Sequence, residues 1–116
     1  MERQEVEAMI AEDRREWVLL CAALDAHLEG ALHDPESPEW TARDVYAHLA
    51  RWIAHSTDDL ESVWAGGTIA VVEGADDEIN ARWQSEDSSM TLDEARTKAQ
   101  QAFERRVRAI QAVATD

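Results

Sequence analysis

The sequence predicts an all-α, single-domain four-helix bundle, and three observations carry that expectation. Apolar residues recur at spacings of three and four, or their sums, through most of the 116 residues. Thr41 to Asp44 and Thr91 to Glu94 both have the spacing of a capping box. The one β-like run, Thr68 to Ala75, would be a strand without a partner and reads as an extended connection. A chain of this length buries roughly 65% of the surface it exposes when unfolded, enough for one core but not two. Residues 1–116 are therefore expected to form one domain.

Val6, Ile10, Trp17, Leu20, Leu24 and Leu28 form the apolar stripe of a first helix over about residues 3–29. Gly30, Pro35 and Pro38 end it and prevent its continuation. The second helix, about residues 42–64, has the fullest start signal: Thr41 caps, Asp44 reaches back, and Trp40 can staple onto Val45. Its inward stripe is Val45, Leu49, Trp52, Ile53, Ser56, Leu60 and Val63, and Ala65-Gly66-Gly67 stops it. A third, short helix over about residues 76–86 places Ile79 and Trp83 one turn apart. The Ser88-Ser89 loop leads to the last helix, which runs to about residue 114 on Leu92, Ala95, Ala99, Phe103, Ile110 and Val113. The second helix is roughly 34 Å long at 1.5 Å per residue, and about ten extended residues span at most about 35 Å. The connection between helices 2 and 3 can therefore cross the length of the bundle and set helix 3 parallel to helix 2.

The charge balance narrows the function classes. With 11 basic against 25 acidic residues, the net charge is −14. Phosphate binding depends on clustered Lys and Arg, so nucleic acid and anionic membrane are not expected partners. No run of 18 apolar residues occurs, and Met-Glu-Arg-Gln-Glu is no signal peptide, so the expected setting is cytoplasmic. The single cysteine, Cys21, has no intramolecular partner, which fits a reducing compartment, and it reads as a small buried apolar residue.

The stretch Trp40 to His55 carries two of the four histidines, seven residues apart on one helix. Their Cα atoms are then about 10.5 Å apart, whereas the nitrogen ligands of one zinc sit about 2 Å from it, so His48 and His55 do not easily share an ion. His48 lies at the edge of the apolar stripe and reads either as a hydrogen-bonded boundary residue or as a pocket acid/base or ligand. His55 lies slightly further out, and His27 and His33 read as solvent-facing. Trp17, Trp52, Trp64 and Trp83 can line a pocket for a flat ligand or simply fill the core. Asp76-Asp77-Glu78 opens a helix, where acidic side chains favour the positive dipole end, and it lacks a calcium-loop pattern. No phosphate loop, nucleophile elbow or cysteine pair is present.

Trp40-Thr41-x-Arg43-Asp44-Val45-x-Ala47-His48-Leu49-x-x-Trp52 resembles the second-helix signature of the DinB-like superfamily. Asn80, followed by the Thr91-x-x-Glu94 helix start, is similar to its DfsB/ClbS-type branch. The resemblance covers roughly residues 38–110 and implies a four-helix bundle with a long crossover between helices 2 and 3. Relatives include metal-dependent thiol transferases and isomerases and a cyclopropane hydrolase that disarms a genotoxin, which implies a stress or detoxification setting. In metal-binding relatives the histidine matching His48 is joined by two ligands four residues apart on the last helix. This chain has no histidine after His55 and no such pair, leaving an incomplete divalent-metal site.

Two charges stand where such a bundle should be apolar. Asp13 falls in the first helix's stripe between Ile10 and Trp17, and Arg106 in the last helix's stripe between Phe103 and Ile110. A lone buried charge costs several kcal/mol, so the two are expected to face one another or to share a network with His48, replacing the metal centre of the relatives. The bland alternative sends Arg106 to water and puts Asp13 at a wet end of the bundle. His48, Asp13 and Arg106 are thus the candidate catalytic residues, and Trp17, Trp52, His55, Asn80 and Trp83 the candidate pocket lining. The function classes left open are a small-molecule stress or detoxification enzyme of hydrolase or transferase type without a cofactor, a non-catalytic binding module, and a homodimeric helical interaction protein.

Overall fold

The computed structural model describes residues 2–26, 40–69 and 74–115. Those residues form four helices: α1 (Arg3–Asp25), α2 (Ala42–Trp64), α3 (Asp76–Glu86) and α4 (Leu92–Ala112). The predicted bounds of the last three agree to within two residues. The first helix was expected to reach about 29, but α1 closes at Asp25 with Ala26 as its C-cap. Leu28, His27, His33, Gly30, Pro35 and Pro38 lie outside the described residues, as do residues 70–73 of the connection expected to cross the bundle.

Local chemistry sets the helix starts. The Thr41 hydroxyl accepts from the Asp44 backbone N–H, and the Asp44 carboxylate accepts from the Thr41 N–H at 2.9 Å, completing the box. Thr91 accepts from the Glu94 N–H at 3.1 Å, the hydroxyl half of the second expected box. Trp40, expected to staple onto Val45, sets its ring edge-on to His48 at 5.2 Å.

Helix α4 is the centre of the bundle. Ala95 and Ala99 are fully buried in it, and these small side chains let α2 pack along it more extensively than any other pair of helices does. Tyr46 lies beneath Arg96, and Arg105 bonds Asp58 and Glu61, so α2 and α4 run side by side in the same direction. The opposite direction of α1 follows from its ends: Arg3 N–H donates to the Thr115 carbonyl at 2.8 Å, while Asp25 pairs with Arg96 at 2.9 Å. The shared core is Val6, Ile10, Trp17 and Leu24 of α1, Ala42, Tyr46 and Ala47 of α2, and Ala95, Ala99, Phe103, Val107 and Ile110 of α4. Helix α3 packs on α2 and buries Ile79.

The stripe on α2 needs correction. Ser56 is exposed, Val63 is 53% exposed, and Val45, Leu49, Ile53 and Leu60 are only partly buried, while Ala42, Tyr46, Ala47 and Thr57 are the buried positions. Hydropathy weights large apolar side chains, but close approach to α4 selects small ones. The Thr57 hydroxyl satisfies itself by donating to the Ile53 carbonyl one turn back at 2.8 Å. Leu20 of α1 is likewise 37% exposed because α1 leans on α4 and leaves a gap toward α2. Tyr46 bridges that gap at one end, its hydroxyl donating to Asp25 at 2.8 Å. Burial and this bond hold the phenol well above its ordinary pKa.

Candidate functional site

The predicted site residues divide between two faces of α2. On the face toward α1, Arg106 Nη1 donates to Asp13 Oδ2 at 2.7 Å, the first of the two arrangements that the sequence left open. Both side chains keep about a third or a quarter of their surface, 35% and 26%, so the pair closes a partly wet groove rather than a dry core. Leu49, Ile53, Trp17 and Phe103 share that groove of about 230 Å³. Trp17 stacks on Phe103 with ring centroids 4.7 Å apart and donates from Nε1 to Gln100 Oε1 at 2.8 Å. The expected shared network with His48 does not form. One turn of α2 carries Leu49 and Ile53 toward Asp13, while His48 points to the α3 side.

Four of the expected lining residues do assemble with His48. Trp52 is the hub: its Nε1 donates to Asn80 Oδ1 at 3.0 Å, and its ring meets Trp83 edge-on at 4.8 Å, His55 at 5.8 Å and His48 at 6.1 Å. Trp17, expected in the same pocket, belongs to the other groove. His55 sets Nε2 at 3.5 Å from Asp59, one turn on. His48 is partly buried, and its buried Nδ1 has no hydrogen-bond partner among the described residues, unlike the hydrogen-bonded boundary residue that was one of the two expectations. Burial lowers its pKa and holds the ring neutral.

The charged residues beside His48 bear directly on whether a metal fits. Asp44 and Asp87 border the same small cavity as His48, and both carboxylates are committed elsewhere. Asp44 caps α2 and pairs with Arg43, while Asp87 accepts from Arg51 Nε at 2.9 Å and Nη2 at 2.8 Å. A catalytic zinc needs three protein ligands and an open position. Among the described residues no three His, Cys, Asp or Glu side chains gather around one point. Among the described residues, one nitrogen beside two guanidinium-bound carboxylates does not make up the ligand set of a divalent ion.

Sequence reasoning missed the larger opening next to this cluster. A groove of about 470 Å³ runs between α2, the end of α3 and α4. Its floor is Ala47, Ala50, Ala54 and Ala102, its α3 wall is Trp83, and Lys98 and Gln101 stand on α4. Ala47, Trp83 and Asp87 border both this groove and the His48 cavity, so the aromatic cluster forms one wall of the groove. The alanines at three- and four-residue spacing along α2 were the available signal: they mark a second packing face on a helix read only for its large residues. Arg51 and Asp87, which tie α2 to the α3–α4 turn, left no local signal because they are 36 residues apart.

Comparison of the chain with protein-family models, with curated proteins and with solved structures gives no match. No helix among the described residues is long and apolar enough to cross a membrane.

The electrostatics of His48 give a pH prediction. Its folded pKa lies below the ordinary value of 6.5, so between those two values the unfolded chain binds more protons than the folded one. This contribution to stability is present above 6.5 and is lost as pH falls through the folded value. Denaturant melts of the protein and of His48→Phe, taken from about pH 8 to about pH 5, are expected to differ in slope, with the variant losing less stability in acid. Equal slopes would place the burial effect elsewhere.

Proposed function

We propose that this protein is a DinB-like small-molecule-binding bundle, serving stress or detoxification, whose ligand occupies the groove beside the His48–Trp52–Trp83 cluster. The observation that carries the reading is the groove itself: about 470 Å³, apolar along its alanine floor, walled by an indole and bordered by six polar or charged side chains. That volume lies in the range of small-ligand sites. The helix-2 resemblance implies the same class of function, with hydrolase or transferase chemistry among its relatives. In that reading neutral His48, behind Trp83, is the candidate proton acceptor.

A thermal-shift screen tests it, because a ligand that binds only the folded state raises Tm by mass action. At least one compound is expected to raise Tm in a concentration-dependent way, and to lose that effect in Ala50→Trp, which fills the groove floor. A melt of the variant alone establishes that it folds. A library without a hit, or a hit that survives the filled groove, overturns the proposal. Turnover of a hit, lost in His48→Gln, separates enzyme from binding module.

A second reading, a homodimeric interaction protein, draws on the exposed run Val18 and Leu19 of α1, 65% and 71% exposed. Solution mass tests it directly: twice 13.1 kDa at micromolar concentration supports it, and a monomer removes it.

A further inference from the structure

Resting on the groove reading above, we infer that the groove selects a flat apolar molecule carrying one carboxylate, held by Lys98 with Gln101 beside it and packed against Trp83. Most of the lining groups already have partners. The Arg51 guanidinium is spent on Asp87 and Glu86 while lying over the Trp83 ring at 5.5 Å. Asp58 is spent on Arg105, Asp87 on Arg51, and His55 faces Asp59. Lys98 has no ion pair, and neither it nor Gln101 has a side-chain hydrogen bond, among the described residues. Both sit on α4 one turn apart, so an ammonium and an amide can address one ligand group together.

Among the described residues Arg82, Lys98 and Arg108 carry no ion pair, and of these Lys98 is the one that lines this groove. Acidic residues outnumber basic ones 25 to 11, and Lys98 is the one lysine in the sequence. Arg14, Arg15, Arg43, Arg51, Arg96, Arg105 and Arg106 all have carboxylate partners. The lysine that has none lines the groove of about 470 Å³. A ligand carboxylate would meet three ammonium donors and an amide donor in a charge-assisted contact, which is shorter and stronger than its neutral counterpart. Where the ligand meets the alanine floor and the Trp83 ring it is apolar and flat, because the floor offers no polar side chain and the ring offers an aromatic wall. A cationic ligand has no free acid to meet: the two carboxylates that line the groove are already taken by Arg51 and Arg105.

Three probes that share one ring system and differ in charge test the assignment: a naphthoate, the matching naphthamide, and naphthylmethylammonium, titrated by calorimetry at low ionic strength. The naphthoate is expected to bind about tenfold tighter than the naphthamide, the scale of one charge-assisted contact at a partly wet site. The ammonium probe is expected to bind more weakly than either. In Lys98→Gln, an exposed substitution that leaves the core intact, the preference for naphthoate over naphthamide should disappear. Equal binding of naphthoate and naphthamide, or an anion preference that survives Lys98→Gln, overturns the assignment and leaves the groove standing as a neutral ligand site. If none of the three gives saturable binding, the assignment falls, and the thermal-shift screen then decides whether the groove reading falls with it. Because Lys98 is the only lysine, acylation by an N-hydroxysuccinimide ester gives an independent check: bound naphthoate should slow modification of Lys98 and leave the α-amino group's rate unchanged.

Discussion

Phe103→Ala is expected to destabilise the protein by about 3–5 kcal/mol, the usual cost of deleting a buried aromatic ring. Phe103 is 4% exposed, stacks face to face on Trp17 at 4.7 Å, and has the Arg14 guanidinium 5.8 Å from its ring centroid. Its loss would open the floor of the groove between α1 and α2, where little else joins those two helices, so the space has few neighbours able to collapse into it. Urea melts at neutral pH measure the loss. Phe103→Leu should recover more than half of it by refilling the volume. A cost under about 1 kcal/mol for the alanine variant would mean that α1 is not held through this stack.

Asp87→Ala is expected to cost about 2 kcal/mol, below the roughly 3–5 kcal/mol of a fully buried broken pair because Arg51 can turn partly to water. The Asp87 carboxylate is nearly buried and receives both Nε and Nη2 of Arg51, whose side chain keeps 34% of its surface. The same residue's carbonyl accepts from Arg43 Nη1 at 2.7 Å, so Asp87 fastens the α3–α4 turn to the first three turns of α2. Glu86 also reaches Arg51, at 3.0 Å, but is half exposed, and Glu86→Ala should cost no more than about 1 kcal/mol. Paired melts of the two variants check the ranking. Equal costs would mean that burial is not what gives Asp87 its weight. Because Arg51 also lies over Trp83, the Asp87 variant should weaken any groove ligand that packs on that ring.

What the sequence determined by itself was local. The start of α2 was legible because Thr41 and Asp44 make their bonds within four residues, and the same holds for Thr91 at the start of α4. The helical class and the extents of α2, α3 and α4 followed from periodicity, a property of neighbouring turns. One long-range contact was also legible as one of two alternatives: Asp13 and Arg106 sit in apolar stripes, and charges there were expected either to find each other or to reach water. That inference worked because the penalty for leaving a charge unpaired is large and the number of available partners is small.

The tertiary structure decided which face of each helix is inside. Periodicity shows that a helix has an apolar side, but whether Val45 and Leu49 or Ala42, Tyr46 and Ala47 lie deepest depends on how closely α4 approaches. That distance was set by Ala95 and Ala99, about 50 residues away in the chain. The same close approach created the groove, since alanines that fit against α4 at one level leave open space where Lys98 and Gln101 flank Ala102. His48 and Asp13 were separated for an equally geometric reason. They could have met only if α2 had presented one face to both, and a helix that turns 100° per residue presents Leu49 to α1 and His48 to α3. Local pattern carried the elements and their caps, while the site came from the distances between helices, which no single segment encodes.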